Sequence, residues 1–209
     1  MRETAAAENR PYHHGDLRRA LIDAARRLLE TDGPSALSLR AVAREAGVSP
    51  AAPYHHFKDK SELLDAVSHE GWDLLNELMT AARQRETSVR DKLTALGVAY
   101  VRFARDNPAL YRVMYDSSRD KESLPEHVHT DGDSAYCQVR DTLTEAGVAP
   151  LSELDLELAT TAAWCAAHGL AEMFAFKQFD SLKEALGGDE AFLRGVFEHM
   201  GIFDRAGQE

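Results

Sequence analysis

The 209 residues carry 35 Asp+Glu against 24 Lys+Arg, a formal charge of −11, with 44% apolar and 28% charged positions, which is the composition of a folded chain. No apolar run approaches the roughly 20 residues that cross a bilayer, the opening MRETAAAENR lacks the apolar core of a secretory signal, and Cys137 and Cys165 have no CxxC spacing. Secreted, membrane-spanning and disulfide-stapled readings are therefore not expected, and reduced thiols in the cytoplasm are.

The acidity is uneven. Residues 1–60 hold 10 Lys+Arg and 8 Asp+Glu, whereas 61–209 hold 14 and 27, so a weakly basic head is joined to a strongly acidic body. Residues 1–15 are polar and contain Pro11 and Gly15, which predicts a flexible arm. From Asp16, a candidate N-cap, the residues Leu17, Leu21, Ala24, Ala25, Leu28 and Leu29 recur at helical steps until TDGPS at 31–35 stops them. A second helix is predicted over 38–45, with Ser38 as its cap and Leu39, Val42 and Ala43 facing inward. Ala46-Gly47-Val48 turns the chain, and Ser49 is expected to cap a short third helix with Pro50 at its first position. A longer helix opens at Asp59 or Ser61 and runs to about Arg85. Further helices are expected over 88–105, 108–117, 131–146, 151–179 and 189–204, with the polar stretch SSRDKESLPEHVH as a loop. Sustained alternation is absent, so the predicted fold is all-α with about nine helices. The expected division is an arm at 1–15, a three-helix head at 16–62 and a helical body at 63–209.

Two short helices joined by a tight glycine-containing turn and braced by a third describe a helix-turn-helix. A helix entering the major groove must carry small or polar outward residues, with phosphate anchors beside it. The segment SPAAPYHHF at 49–57 fits: Ser49, Ala51 and Ala52 are small, and the alanines suit thymine methyl groups. Tyr54, His55, Lys58 and Lys60 supply donors for phosphate oxygens, and Ser38 and Arg40 do so at the start of the preceding helix. The adjacent His55-His56 point about 100° apart on a helix and are not expected to share a metal ion. His127, His129, Asp131 and Asp133 alternate in the polar loop and read as solvated side chains. No metal or cofactor is expected.

Residues 17–64, LRRALIDAARRLLETDGPSALSLRAVAREAGVSPAAPYHHFKDKSELL, resemble the N-terminal domain of tetracycline-repressor-like (TetR-type) transcriptional regulators. The likeness is carried by ALIDAARRLLETDG, by LSLRAVAREAGVS and by the Tyr-His-His-Phe-Lys-x-Lys-x-x-Leu tail. It implies backbone contacts to DNA from Tyr54, His55 and Lys60. Ala51-Ala52-Pro53 replaces the family's commoner Gly-Thr-Leu, which removes one polar contact and leaves base readout open. Downstream, Trp164, His168 and Gly169, preceded by VRFARDNPALYRVMY at 101–115, resemble a subgroup whose C-terminal domain is named for its Trp-His-Gly residues. That resemblance implies an effector-binding, dimerising body.

The effector cavity is expected from Trp72, Phe103, Tyr111, Met114, Tyr115, Tyr136, Trp164 and His168, since most of these join an apolar body to a polar tip. The competing reading of each is core packing, and of His168 a structural histidine. Because the predicted helix at 151–179 is apolar nearly all round, one side is expected to meet a second subunit. Leu170, Phe174, Leu186, Phe192, Val196, Phe197 and Ile202 are the candidate interface. The function expected is a homodimeric regulator, a repressor by resemblance, released from a double-stranded, near-palindromic DNA operator by a small, mostly apolar effector. The alternatives are a helical enzyme using His168 as a base and a protein-only adaptor; nucleophile-elbow, phosphate-loop and metal motifs are absent from the sequence, and an enzyme is not expected.

Overall fold

The computed structural model describes residues 14–119, 134–145 and 152–200; the predicted arm up to residue 13, His127, His129, Asp131, Asp133 and Ile202 lie outside them. Among the described residues there are nine α-helices and no strand. They are α1 (His14–Thr31), α2 (Leu39–Glu45), α3 (Lys60–Arg83), α4 (Val89–Asp106), α5 (Pro108–Arg119), α6 (Ala135–Glu145), α7 (Glu153–Met173), α8 (Asp180–Leu186) and α9 (Asp189–Glu198). Short 3-10 helices lie at Pro34–Ala36, Ala52–His55 and Lys177–Phe179. The chain divides into two compact units, Met1–Val67 and Ser68–Glu209.

In the first unit, Leu21, Ile22, Ala24 and Ala25 of α1 form a buried core with Val42 and Ala43 of α2, Phe57 and Leu63. Ser38 starts α2 as the sequence predicts: its Oγ accepts the Ala41 N–H at 3.1 Å. The helix ends in a Schellman turn, in which the Val48 N–H donates to the Ala43 carbonyl at 2.9 Å and the Gly47 N–H to the Arg44 carbonyl at 3.2 Å. Gly47 sits at φ +69°, where any Cβ is strained. Arg27 of α1 pairs with Glu45 of α2 at 3.0 Å.

The third element differs from the prediction. Instead of an α-helix capped by Ser49, the segment is a 3-10 helix over Ala52–His55 with Ala51 before it and no side-chain cap. Proline explains this. Pro53 has no N–H to give to the Ser49 carbonyl, so the i→i−4 bond that would open an α-helix is missing, and the first such bond comes only from the Phe57 N–H to the Pro53 carbonyl at 2.9 Å. The available donors settle for tighter bonds: Ala52 N–H to Ser49 O at 3.0 Å, Tyr54 N–H to Ala51 O at 3.2 Å and His56 N–H to Pro53 O at 2.9 Å.

In the second unit α4 is the hub, packed against α5, α6, α7 and α9. It is buried on almost every side, with Leu93, Leu96, Tyr100, Val101 and Phe103 among its inward residues. Ser88 and Ser152 cap α4 and α7, accepting N–H groups of Asp91 and Asp155 at 3.1 Å each. Gly97 lets Phe197 of α9 lie against the α4 backbone, since a Cβ there would stand 2.6 Å from the ring.

The helix predicted over 151–179 stops at Met173, and α8 follows as a separate helix. Lys183 donates to the Phe174 carbonyl at 2.7 Å, taking the acceptor that a continuing helix would offer to Gln178. Its ammonium also sits 3.7 Å from the centre of the Phe174 ring. A second correction follows. Leu170, Phe174, Phe192 and Phe197 are buried in the core of their own chain, and Val196 is half-buried. Phe192 packs on Phe174 and Phe179, with ring centres 6.2 and 5.5 Å away. The four buried side chains are internal packing and present no face to another subunit. Of the candidate interface, Leu186 is exposed, and so are Leu154, Leu158, Met173, Phe176 and Leu182 beside it and Leu78 on α3.

Candidate nucleic-acid interface and ligand site

Around the short 3-10 helix, two side chains turn inward and the rest turn out. Pro53 is buried and Phe57 is 1% exposed, with the Arg18 guanidinium 5.5 Å from the centre of the Phe57 ring. These anchors fix what the neighbours present. Ser49, Ala51, Tyr54, His55, Lys58 and Lys60 are exposed, and Ala52 is half-exposed. Ser38 and Arg40 are exposed at the start of α2, and so is Arg44 four residues on from Arg40, a cation absent from the sequence-based set.

The loop carrying the lysines is held by carboxylates rather than left free. The Glu62 N–H donates to Asp59 Oδ1 at 3.0 Å, and the Lys58 N–H donates to Glu62 Oε2 at 2.6 Å, so both acids are spent on the start of α3. Lys60 Nζ donates to the Pro34 carbonyl at 3.0 Å, which uses one of its three N–H groups and orients the other two. The result is an outward set of cations and small residues on a braced frame, able to grip phosphates on both sides of a slim projecting segment.

The second unit contains an aromatic cluster. Trp72 stacks on Trp164, with ring centres 6.2 Å apart and planes 21° from parallel, and meets Tyr115 edge-on at 5.5 Å. Trp164 also meets Tyr100 and Tyr136 at 5.1 and 5.7 Å, and Tyr115 lies 4.6 Å from His168. Six of the eight predicted effector residues are therefore brought together. Phe103 instead lines a separate cavity of about 260 Å³ with Leu78 and Arg194, and Met114 Sδ packs against Gly71, the residue before Trp72. Tyr100, 1% exposed, belongs to the cluster and is missing from the sequence-based set.

Hydroxyls connect the rings. Tyr111 Oη lies 2.6 Å and Tyr100 Oη 3.1 Å from His168 Nδ1, Tyr100 lies 3.5 Å from the Tyr111 hydroxyl, and Tyr100 and Tyr115 hydroxyls bond directly. Tyr136 donates to Glu157 Oε2 at 3.1 Å. Burial pushes the Tyr111 phenol up to about 12, the Tyr100 hydroxyl bond opposing it and the Glu172 charge adding to it. It pushes Tyr100 and Tyr115 up as well, so all three stay protonated near neutrality. Burial lowers the His168 imidazole, against the opposing pull of Glu172. Beside this network opens a cleft of about 650 Å³, floored by Tyr111, Tyr115 and His168 and walled by Phe174, Arg112 and Glu172. Trp72 Nε1, by contrast, is buried without any hydrogen-bond partner among the described residues. No group of three or more His, Cys, Asp or Glu that could hold a metal occurs among them.

Comparison with known proteins adds to this geometry. The model of the tetR family of bacterial regulatory proteins matches residues 21–67, and that of the tetracyclin repressor-like C-terminal domain matches 93–197. The second match spans Trp164, His168 and Gly169. Among solved structures, a Rhodococcus sp. RHA1 protein described as of unknown function is 32% identical, with a TM-score of 0.76, over 94% of this chain and 98% of its own. A tetR-family bacterial regulatory protein from Rhodococcus RHA1 is 24% identical, with a TM-score of 0.62, over 88% of this chain and 94% of its own. A TetR-family transcription regulator from Marinobacter aquaeolei VT8 is 21% identical, with a TM-score of 0.63, over 90% and 94%. The last two likenesses are of fold.

Proposed function

We propose that this chain, which belongs to the tetR family of bacterial regulatory proteins and is a DNA-binding transcription regulator, acts as a homodimeric repressor released from a near-palindromic operator by a small, mostly apolar effector. The observation that carries this is the exposed set Arg40, Tyr54, His55, Lys58 and Lys60 around the buried Pro53 and Phe57. Ser38, Ser49, Ala51 and Ala52 complete the DNA face in this reading. The two recognition segments of a dimer would enter major grooves about 34–36 Å apart. In this reading residues 16–62 touch DNA and 63–209 bind effector and partner, the body resembling the Trp-His-Gly subgroup.

The dimer surface we assign is the apolar stripe of α7 continued onto α8, namely Leu154, Leu158, Met173, Phe176, Leu182 and Leu186, all exposed in the single chain. The effector site is the cleft against Tyr111, Tyr115 and His168, with Trp72, Tyr136 and Trp164 behind it. Release requires the effector to bind the DNA-incompetent state better, and a differential of about 100-fold, about 2.7 kcal/mol, makes a modest switch. Phe103, which lines another cavity, has no part in it. No helix among the described residues is long and apolar enough to cross a membrane, and a regulator of this kind works beside the chromosome in the cytoplasm. Fluorescence anisotropy with the DNA upstream of its own gene tests the reading: nanomolar, salt-sensitive binding is expected, and affinity no better than for unrelated DNA contradicts it.

A further inference from the structure

The cleft beside the aromatic cluster presents an N–H donor that meets no acceptor among the described residues, and that donor names a ligand chemistry. Tyr100, Tyr111 and Tyr115 bring three O–H groups, and all three stay protonated near neutrality. In the chain of contacts they make, His168 Nδ1 is the one atom able to accept a proton without bringing one of its own. A consistent order runs Tyr115 O–H to Tyr100, Tyr100 O–H to Tyr111 and Tyr111 O–H to Nδ1, the last at 2.6 Å. With Nδ1 occupied as acceptor and the ring neutral, the imidazole proton sits on Nε2. Every hydrogen bond of His168 among the described residues is made through Nδ1, which leaves Nε2 without one, and His168 lines the cleft. A second donor without an acceptor lies in the same cluster. Trp72 is 5% exposed, stacks on Trp164, and its Nε1–H is buried and unpaired. Leaving such a donor without an acceptor costs about 1–3 kcal/mol. Two N–H donors of the cluster, His168 Nε2 and Trp72 Nε1, therefore meet no acceptor among the described residues.

Resting on the effector reading above, we propose that the cleft takes a flat, neutral, carbonyl-bearing molecule (a ketone, lactone or amide on a ring system), whose oxygen accepts the His168 Nε2–H while its rings lie on Tyr111 and Tyr115. The walls support neutrality. Arg105 is committed to Asp106 and Asp189, at 2.7 and 3.4 Å. That leaves Arg112 on one side against Glu172 on the other. A carboxylate ligand placed at His168 meets the charge of Glu172, four residues further along the same face of α7. A cation brings no oxygen to the waiting donors. A cleft of about 650 Å³ has room for two or three fused rings.

The test compares 1-tetralone with tetralin, which differ by one carbonyl group, on the full chain by isothermal titration calorimetry. Transfer out of water alone favours the hydrocarbon, so a preference for the ketone requires a donor in the site. The ketone is expected to bind about 5–10-fold tighter, the worth of one hydrogen bond. His168→Asn keeps an amide oxygen near the Nδ1 position for Tyr111 but places nothing at Nε2. It should bring the two probes to within about twofold. Equal or tighter binding of tetralin by the native chain overturns the carbonyl assignment, and leaves the cleft as an effector site for hydrocarbons. A ketone preference that persists in a folded His168→Asn variant overturns it too. Binding of neither probe at millimolar concentration overturns both this assignment and the effector reading on which it stands. Should His168→Asn fail to fold, the native chain's preference decides alone.

Discussion

Removing the charge of Lys60 separates a phosphate contact from a structural one. The side chain has three N–H groups, of which one goes to the Pro34 carbonyl at 3.0 Å. The other two point away from any partner among the described residues. Lys60→Ala loses both roles. The bond to Pro34 is an exposed one, worth about 0.5–1.5 kcal/mol at most, and its loss does not depend on salt. A phosphate contact does: each one contributes about 0.9 to the slope of log K against log salt. A dimer carries two copies, so the slope should flatten by about 1.8. Between about 50 and 200 mM salt, native affinity should fall about 12-fold more than that of the variant. Anisotropy titrations with a labelled operator at four salt concentrations measure this. Lys60→Gln keeps a donor for the Pro34 carbonyl without the charge and should match alanine, whereas Lys60→Arg should restore the native slope. A slope unchanged in Lys60→Ala removes this residue from the phosphate contacts, whatever happens to the affinity at one salt concentration.

Other substitutions test the remaining parts. Gly97→Ala places a methyl 2.6 Å from the Phe197 ring, so urea melts should show a loss of about 1–3 kcal/mol from overpacking in the second unit. Gly47→Ala, at φ +69°, should cost the first unit about 1–2 kcal/mol and weaken DNA binding with it; an unchanged melt refutes the turn argument. Leu158→Asp, at a position 60% exposed on the α7 stripe, should convert the proposed dimer to monomer in sedimentation velocity, and a dimer that survives moves the interface elsewhere. His168, lowered by burial below its ordinary 6.5, binds its proton less readily when folded. It is neutral in both states above that value, and it destabilises the fold progressively as pH falls below 6.5. His168→Asn should therefore lose less stability than the native chain between pH 7 and pH 5, and parallel melts in that window would contradict it.

Helical periodicity was enough to place α1, α2 and α4 within a residue or two, because each has a stop signal or cap readable locally: Gly33-Pro34, Ser38, Asn107-Pro108. The third element is not legible in the local pattern. Pro50 reads as a helix start, but the decisive residue is Pro53, whose missing N–H converts the segment to a 3-10 helix. The break after Met173 depends on Lys183 reaching the Phe174 carbonyl, a contact between two helices that no local pattern announces. The burial of Leu170, Phe174, Phe192 and Phe197 has a related reason. A helix apolar on all sides does not say which sides its own chain covers, and α9 turned out to cover Phe174. For the cluster, α4 is buried nearly all round. Periodicity alone cannot tell that Tyr100 faces Trp164 while Phe103 faces a different cavity.

Hydroxyl-radical footprinting of the full chain on the DNA upstream of its gene tests the central claim most directly. The account predicts two protected patches, centred about one helical turn apart and related by two-fold symmetry, both lost when Tyr54 and Lys60 are replaced by alanine. Protection at a single patch, or two patches that persist in the doubly substituted chain, would contradict it.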